Sequence, residues 1–552
     1  MVEKTKAHEL AQKQREISVS EFFSKNRHLL GFDNPRKALL MAVKEAVDNS
    51  LDAAEEARIL PEIYVELQQI KEDRFKVVVE DNGPGIIKEQ IPKIFGKLLY
   101  GSKFHRLRVS RGQQGIGISA VLLYGQLTTG KGMHIKSKIG PKHSSHYYEI
   151  HIDTQKNEPI IKEDKIIEWN KEHGIRIEIE LQGTYQKGKQ SVDEYIKEIA
   201  LINPHAKITY VTPEKERITY ARAVEELPKE AKEIKPHPYG VELGMLIRMM
   251  HSTTSGTVSS FLQNDFSRIS QQLAQEICEK VKLNPRARPS TIAREEADLL
   301  YNAIQNTKII APPTDCLVPL GEDALIKGLK KEINAEFYTA ITRVPSVYRG
   351  NPFLIEVGIC YGGDLSKDDS IKIMRFANRV PLLYQQGACA SIEAVTDTLW
   401  KNYGLQQSRN SMPVGPVVII IHMVSVWVPF TSEAKEAIAH YPEIIRDMKL
   451  ALQEAGRKMA SYIRKTVHAR EQQERVNLFA KYIPELAGAL SELTGTKKQP
   501  IEENLQKILK KGMKDLLAGV KEAQETEIKG NNIAFGEKQE TLDGINGIKQ
   551  DE

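Results

Sequence analysis

The chain has 552 residues, of which 41% are hydrophobic and 27% charged. That length suggests three or four domains at roughly 150 residues each, and the balance excludes a wholly disordered or fibrous chain. Lys and Arg number 78 against 73 Asp and Glu, a net charge of +5, too small over this length to indicate nucleic-acid binding by itself.

In chain order, residues 1–16 are polar and charged, an exposed arm rather than a secretory signal. Ser18–Ser24 predicts a short capped helix. Pro35 opens a helix to about Ala57, with Leu39, Leu40, Val43, Ala46, Val47 and Leu51 as its buried stripe. Strands are predicted at Ile63–Gln69, Phe75–Asp81, His146–Asp153, Ile175–Leu181, Lys207–Val211 and Arg217–Ala221. Helices are predicted at Lys88–Leu99, Ile116–Tyr124 and Val192–Ile202, and the mixture reads as α+β. Glu225–Gly240 is charged, holds three prolines and reads as a linker. A helical region follows at about Val241–Asn306.

From Pro312 to about Pro429 the pattern is mixed again, with apolar strands at Phe353–Tyr361 and Val417–Val428. The uncharged run Met412–Phe430 contains Pro413, Gly415, Pro416, His422 and Pro429. Its β-branched heart is too short for a membrane span and reads as buried strand. Pro442–Tyr482 predicts a helical rod of about 60 Å at 1.5 Å per residue. The tail from Thr526 reads as unstructured. Cys278, Cys316, Cys360 and Cys389 are far apart and form no Cys-x-x-Cys pair. A zinc ribbon or thioredoxin-type site is excluded, and a reducing compartment fits.

Three signals carry chemistry. Glu45, Asn49 and Asp52 lie at i, i+4 and i+7 and share a helical face. An amide oxygen there can hold a hard cation and a carboxylate can polarise water; a solvated polar face is the plain alternative. Asp81-Asn82-Gly83-Pro84-Gly85 follows an apolar strand. It is either an ordinary turn or a carboxylate delivered to a ligand beside glycines that permit close approach. Arg111-Gly112-Gln113-Gln114-Gly115-Ile116-Gly117-Ile118-Ser119 runs into an apolar helix, where backbone N–H groups can cradle phosphates. This is not the first turn of a βαβ unit, so a Rossmann site is excluded, and no Walker A loop occurs. Thirty-two residues separate Asn49 from Asp81, and thirty-one separate Asp81 from Gly112.

In content, order and spacing the three together resemble the boxes of the GHKL (Bergerat-fold) ATPases. The resemblance implies that Asn49 binds Mg2+ with ATP. Asp81 would read the adenine amino group within a glycine box containing Gly83 and Gly85. Gly112, Gln113, Gln114, Gly115, Ile116, Gly117, Ile118 and Ser119 would wrap the phosphates, and Glu45 would activate water. His173–Ile177 stands where a further Gly-Thr box would lie, but Ile175 replaces the threonine, so it is left outside the expected site.

Within that class, a sensor kinase needs a phosphoacceptor hairpin, and only 44 residues precede Glu45. The mismatch-repair lid signature is absent, and so is the Asp-x-Asp pair of a gyrase-type toprim domain. Over about residues 15–490 the chain resembles the B subunits of topoisomerase VI, the type IIB DNA topoisomerases. FFSKNRHLLGFDNPRKAL, VEDNGPGI, FGKLLYGSKFHRLRVSRGQQGIG, KPHPYGV, AITRVPSVYRGNPF, RFANRVPLLY and EAKEAIA carry the resemblance.

It implies an N-terminal arm (1–16), a GHKL ATPase domain (17–235), a helix-two-turn-helix domain (236–308) and a transducer with a stalk helix (309–482). A C-terminal helical segment and tail (483–552) would follow. Ser102 and Lys103 would touch nucleotide, with Lys103 and Arg111 flanking the phosphate lid, and Lys435 would reach the γ-phosphate. The cofactors would be ATP and Mg2+. ATP would drive self-dimerisation through the ATPase domain. A DNA-cleaving A subunit would complete an A2B2 assembly acting on double-stranded DNA, cytoplasmic, nucleoid-associated and archaeal in type, with no membrane. Arg457, Lys458, Arg464 and Lys465 would contact passing DNA or form a solvated face. Ile501–Val520 would dock on the A subunit or lie solvated. The alternatives are an ATP-dependent chaperone or mismatch-repair-like clamp, and a non-hydrolysing scaffold, against which Glu45 argues.

Overall fold

In a computed structural model of the chain, residues 6, 11, 14, 16–102, 106–112, 115–432 and 434–509 are described. The chain divides into two compact units, Met1–Ala460 and Ser461–Glu552. Most of the expected arm and tail, and the part of Ile501–Val520 beyond Leu509, lie outside the described residues.

In the first unit, Ser18 caps helix α1 (Val19–Lys25) by accepting the Glu21 N–H at 3.1 Å. Asn34 caps the long helix α2 (Pro35–Glu56) through the Lys37 N–H at 2.9 Å, with Pro35 in the first turn. The predicted apolar stripe of α2 is buried throughout. It lies on an eight-stranded sheet of β1 (Glu62–Lys71), β2 (Arg74–Asp81), β3 (Met133–Lys138), β4 (Ser145–Asp153), β5 (Glu158–Ile167), β6 (Gly174–Gln182), β7 (Lys207–Val211) and β8 (Arg217–Tyr220). The order is β5-β4-β3-β6-β2-β1-β7-β8, and of its pairs only β1 with β7 is parallel.

β3 and β5 are strands beyond those predicted. β3 alternates buried and half-buried residues over only six positions, with His134 and Lys136 on its outer face. β5 is an edge strand, largely exposed and rich in charge, and its isoleucines come in adjacent pairs, so it forms without an alternating apolar signal. The helix expected over Lys88–Leu99 is a 3-10 turn at Lys88–Gln90 followed by helix α3 (Ile91–Gly96). Gly96 ends α3 in close packing, where a Cβ would stand 2.6 Å from Pro159. Helix α4 (Gly117–Thr129) and helix α5 (Val192–Ile202) complete the helical layer.

The Glu225–Gly240 linker is irregular, apart from a β-bridge of Ile234 to Leu107 and a 3-10 turn at Pro238–Gly240. It leads to helices α6 (Leu243–Ser252), α7 (Val258–Asp265), α8 (Gln271–Lys280) and α9 (Arg294–Gln305). These close over their own core of Leu246, Phe261, Leu262, Ile277 and Leu300. Helix α10 (Glu322–Glu332) then meets α5 so closely that a Cβ on Gly328 would lie 2.4 Å from the Leu201 carbonyl.

α10 packs on a second sheet of β9 (Phe337–Thr342), β10 (Ser346–Tyr348), β11 (Asn351–Tyr361), β12 (Lys372–Ala377), β13 (Val380–Pro381) and β14 (Val417–Ser425). Its order is β10-β11-β14-β12-β13, with β9 also on β11. The short helix α11 (Ala390–Thr396) lies between β13 and β14 in the chain. All nine residues of β14 are buried, so the uncharged run is a central strand that ends at Ser425 rather than Val428. Among the described residues no helix is long and apolar enough to cross a membrane. Within this sheet Glu356 and His422 stand opposite each other, fully buried and 2.8 Å apart. Glu356 also accepts the Leu320 and Gly321 N–H groups at 2.9 and 2.7 Å, as a buried carboxylate requires.

Glu198 on α5 is 3% exposed. Burial first, then the Glu194 charge, push its carboxyl up to about 8. A carboxyl raised in the fold contributes fully below its unfolded value, and that contribution fades as pH climbs toward the folded value. Glu198→Gln should therefore be more stable than the parent at pH 7, by up to about 3 kcal/mol. The gain should vanish below about pH 4.5. Thermal unfolding at pH 4 and pH 7 checks this; an equal difference at both would contradict it.

Helix α12 (Pro442–Thr494) begins with a buried seam of Ile444, Met448, Leu452, Ala455 and Met459. Gly456 admits the Tyr403 ring, which would lie 2.9 Å from a Cβ at that position. The helix does not end near Tyr482. It continues through Pro484 to Thr494, since a single proline removes one donor without dictating a stop. In the second unit Ile483 and Ala487 are buried, while Leu478, Phe479, Tyr482 and Leu486 are exposed.

Candidate functional site

β2 delivers Asp81 at its last position into the Gly83–Gly85 turn. The residue is 5% exposed. Oδ2 accepts the Ser50 hydroxyl at 2.7 Å, and Oδ1 accepts the Gly83 N–H at 2.9 Å and the Ile175 N–H at 3.2 Å. Burial pushes this carboxyl above the usual range, against the pull of the three donors. Two glycines make the arrangement possible. At Gly85 (φ +71°) a Cβ would meet the Lys138 carbonyl at 2.2 Å, and at Gly174 one would meet the Asp81 carbonyl at 2.2 Å.

α2 presents Glu45 and, one turn on, Asn49, whose residue is exposed. Lys44 Nζ lies 3.5 Å from Glu45 Oε1 and 3.1 Å from Asp48. Asp52 shares the helix but serves another purpose. It accepts the Gly112 N–H at 3.2 Å and the Arg111 guanidinium at 2.9 Å, so it holds the glycine-rich segment. α4 starts at Gly117, where a Cβ would fall 1.8 Å from Glu45 Oε2. Only glycine lets that helix N-terminus approach the carboxylate. The Ser119 hydroxyl donates to the Ile116 carbonyl at 3.0 Å.

Lys435 comes from the loop before α12, with its backbone left-handed (φ +54°) and 8% exposed. Its ammonium donates to the Arg111 carbonyl at 2.9 Å. Burial holds it below the usual lysine range, against the pull of the Glu45 charge. The neighbouring Glu436 pairs with Lys37 of α2, which also holds Asp33 at 2.9 Å, so the loop is pinned to the helix that carries Glu45.

These groups converge on one cavity of about 530 Å³. Val79, Ile86, Ile94, Phe95 and Ile177 give it apolar walls around Asp81. Glu45, Asn49, Ser102, Gly112, Gly115, Gly117 and Lys435 supply the polar and glycine lining, with Ile116 and Ile118 beside them. Of the other expected residues, Gly85 lines the cavity, whereas Gly83 and Ser119 stand behind it and brace Asp81 and the start of α4. Lys103, Gln113 and Gln114 lie outside the described residues. Arg111 does not face the cavity. Its guanidinium is buried against Asp52, Glu55 at 2.6 Å and Asn203 at 2.5 Å, because two carboxylates of α2 attract it more strongly than open space.

The histidine kinase-, DNA gyrase B- and HSP90-like ATPase model matches residues 34–156. The topoisomerase VI B subunit transducer model matches residues 312–475. The type 2 DNA topoisomerase 6 B subunit of Methanococcoides burtonii is 51% identical over 487 residues, spanning 88% of this chain and 78% of that protein. The Archaeoglobus fulgidus protein of the same name is 47% identical over 494 residues, spanning 89% and 81%. The chain belongs to the topoisomerase VI B-subunit family. The crystal structure of the Thermus thermophilus gyrase B 43K ATPase domain with an aminocoumarin is 12% identical, with a TM-score of 0.38, covering 83% of this chain and 96% of that one.

Membership places a nucleotide-binding GHKL ATPase domain on the first sheet and a transducer on the second. Two contributors to the site escape a reading of residue types. Ile175 falls outside the expected site because it stands where a threonine is expected. Its contribution to Asp81 is a backbone N–H, which any residue but proline supplies. Ser50 directly follows Asn49 and carries no signal of its own, because only the fold brings its hydroxyl to Asp81.

Proposed function

We propose that the cavity binds Mg2+–ATP and that this chain hydrolyses it as the motor subunit of a type IIB topoisomerase. The observation that supports this most is the convergence of Asp81, Glu45 and Lys435 on one cavity. A buried carboxylate among apolar walls suits a planar base with an exocyclic amine. The N-terminus of α4 suits phosphates. The Asn49 amide oxygen suits a cation shared with those phosphates.

When bound, Mg2+–ATP supplies the phosphoanhydride to be broken. Asp81 accepts a hydrogen bond from the base and fixes its register. Backbone N–H groups from Gly115 to Ile118 would hold the phosphate oxygens, with Ser102 beside them, while the Gly112 N–H stays on Asp52. Glu45 takes a proton from the attacking water. The Lys435 ammonium leaves the Arg111 carbonyl for the terminal phosphate, so the transducer feels whether that phosphate is present.

Nucleotide binding would join two copies through their ATPase domains. The transducer would pass that state along α12 to a DNA-cleaving A subunit in an A2B2 assembly on duplex DNA. The ATPase domain is assigned to 17–235, the helix-two-turn-helix domain to 236–308 and the transducer to 309–482. The setting would be the cytoplasm, at the nucleoid.

Asp81→Asn tests the pocket. It keeps the shape but turns one acceptor into a donor, so ATP affinity should fall about 10–100-fold, the worth of one hydrogen bond to a charged group. GTP affinity should fall less. Calorimetric titration reads both, and unchanged ATP affinity would remove Asp81 from base recognition.

A further inference from the structure

Two consecutive non-glycine residues of the second sheet have left-handed backbone, Asn378 at φ +48° and Arg379 at φ +63°. They form the two-residue turn between β12 and β13, because Ala377 pairs with Val380. Such a turn takes Asn–Gly most readily. Asn378 therefore suits its place, while Arg379 stands where glycine would be least strained.

The side chains give a reason. Arg379 is 5% exposed, and its guanidinium lies 3.4 Å from both carboxylate oxygens of Glu55 on α2. Its N–H donates to His422 Nε2 at 2.9 Å, which ties it to the buried Glu356–His422 pair. Asn378 donates to the Ser110 carbonyl at 3.2 Å and exchanges bonds of 2.9 and 3.0 Å with the Ser425 backbone. Ser110 and Arg111 are the stem of the glycine-rich segment, and Arg111 shares Glu55 with Arg379. The transducer thus grips this stem from the turn as well as from Lys435.

We propose that the Asn378–Arg379 turn is a positioning element for the glycine-rich segment. Through Ser110 and Glu55 it sets how that segment's backbone meets the phosphates, separately from Lys435. The proposal rests on the nucleotide reading of the cavity for its consequence, though not for the contact itself.

Arg379→Gly separates this role from a purely structural one. It relaxes the turn and removes the guanidinium, and Glu55 keeps Arg111 and His205, the latter at 2.7 Å. The relaxed turn should offset part of the lost Glu55 pairing, so the folded core should lose less stability than in Arg111→Met. Amide hydrogen exchange at residues 110–112 should rise about tenfold, with the β1 and β2 amides unchanged. The KM for ATP should rise about tenfold while kcat changes less than about threefold, as for lost uniform binding. Arg379→Lys, which keeps the charge, should recover most of both.

Exchange and KM equal to the parent's would overturn the proposal. So would exchange raised equally across β1 and β2, which would make the turn a general brace. Raised exchange confined to 110–112, in a chain whose parent shows no Glu45-dependent hydrolysis, would keep the positioning contact and remove the nucleotide reading instead.

Discussion

Glu45→Gln should lower kcat for ATP hydrolysis by about 10²–10⁴-fold, the usual worth of a positioned general base. ATP affinity should hardly change. The substitution keeps the side chain's size, so its tight fit against Gly117 survives. It also keeps Lys44 paired with Asp48 at 3.1 Å, so no buried cation is stranded. Only the ability to take a proton is lost. A transition-state role predicts that kcat and kcat/KM fall together. A rise in KM alone would make Glu45 a binding residue, and parental kcat would remove it from the chemistry.

Arg111→Met should destabilise the first unit by roughly 3–5 kcal/mol, the cost of stripping one partner from a buried ion pair. Arg111 is 5% exposed and bridges Asp52 and Glu55. Burial would raise the Glu55 carboxyl, yet the Arg111 and Arg379 charges hold it well below the usual range. Without Arg111, Asp52 loses its guanidinium partner and keeps the Gly112 N–H. The loss should appear as a lower denaturant midpoint with an unchanged m-value. A second consequence separates this from ordinary core damage. The stem loses the side-chain anchor at Arg111 and keeps the Asp52 and Asn378 contacts, so ATP affinity should drop even at temperatures where the variant is fully folded. A loss below about 1 kcal/mol would place the pair with weak surface bridges.

Legibility in the sequence follows the physics of each element. α2 is readable because its apolar stripe repeats at helical spacing and Pro35 marks its start. Asp81 is readable because an apolar strand runs straight into a two-glycine turn. The transducer's central strand is readable from an unbroken β-branched run. β5 is not, since an edge strand that faces solvent carries no periodic apolar signal.

The site divides the same way. Cavity-lining side chains at local spacing, such as Glu45 and Asn49, can be found from the sequence. Ile175, which acts through its N–H, cannot. Arg111 looks like a phosphate ligand by position in the chain, but Glu55 and Asp52, more than fifty residues earlier, capture it. Lys435 is reached by resemblance alone. Its place in the cavity depends on a loop pinned by Lys37 and Glu436, a contact that no local pattern announces. Pro484 suggests a boundary near Tyr482, yet α12 continues past it.

The most direct measurement is ATP hydrolysis by the purified chain, alone and with duplex DNA and a cognate A subunit, alongside Glu45→Gln and across a salt series. A topoisomerase motor predicts hydrolysis that needs Glu45 and rises when DNA and the A subunit are both present. The DNA effect should weaken steeply as salt increases. Glu45-dependent hydrolysis that ignores DNA and the A subunit, but responds to unfolded protein, would contradict it and favour a chaperone clamp.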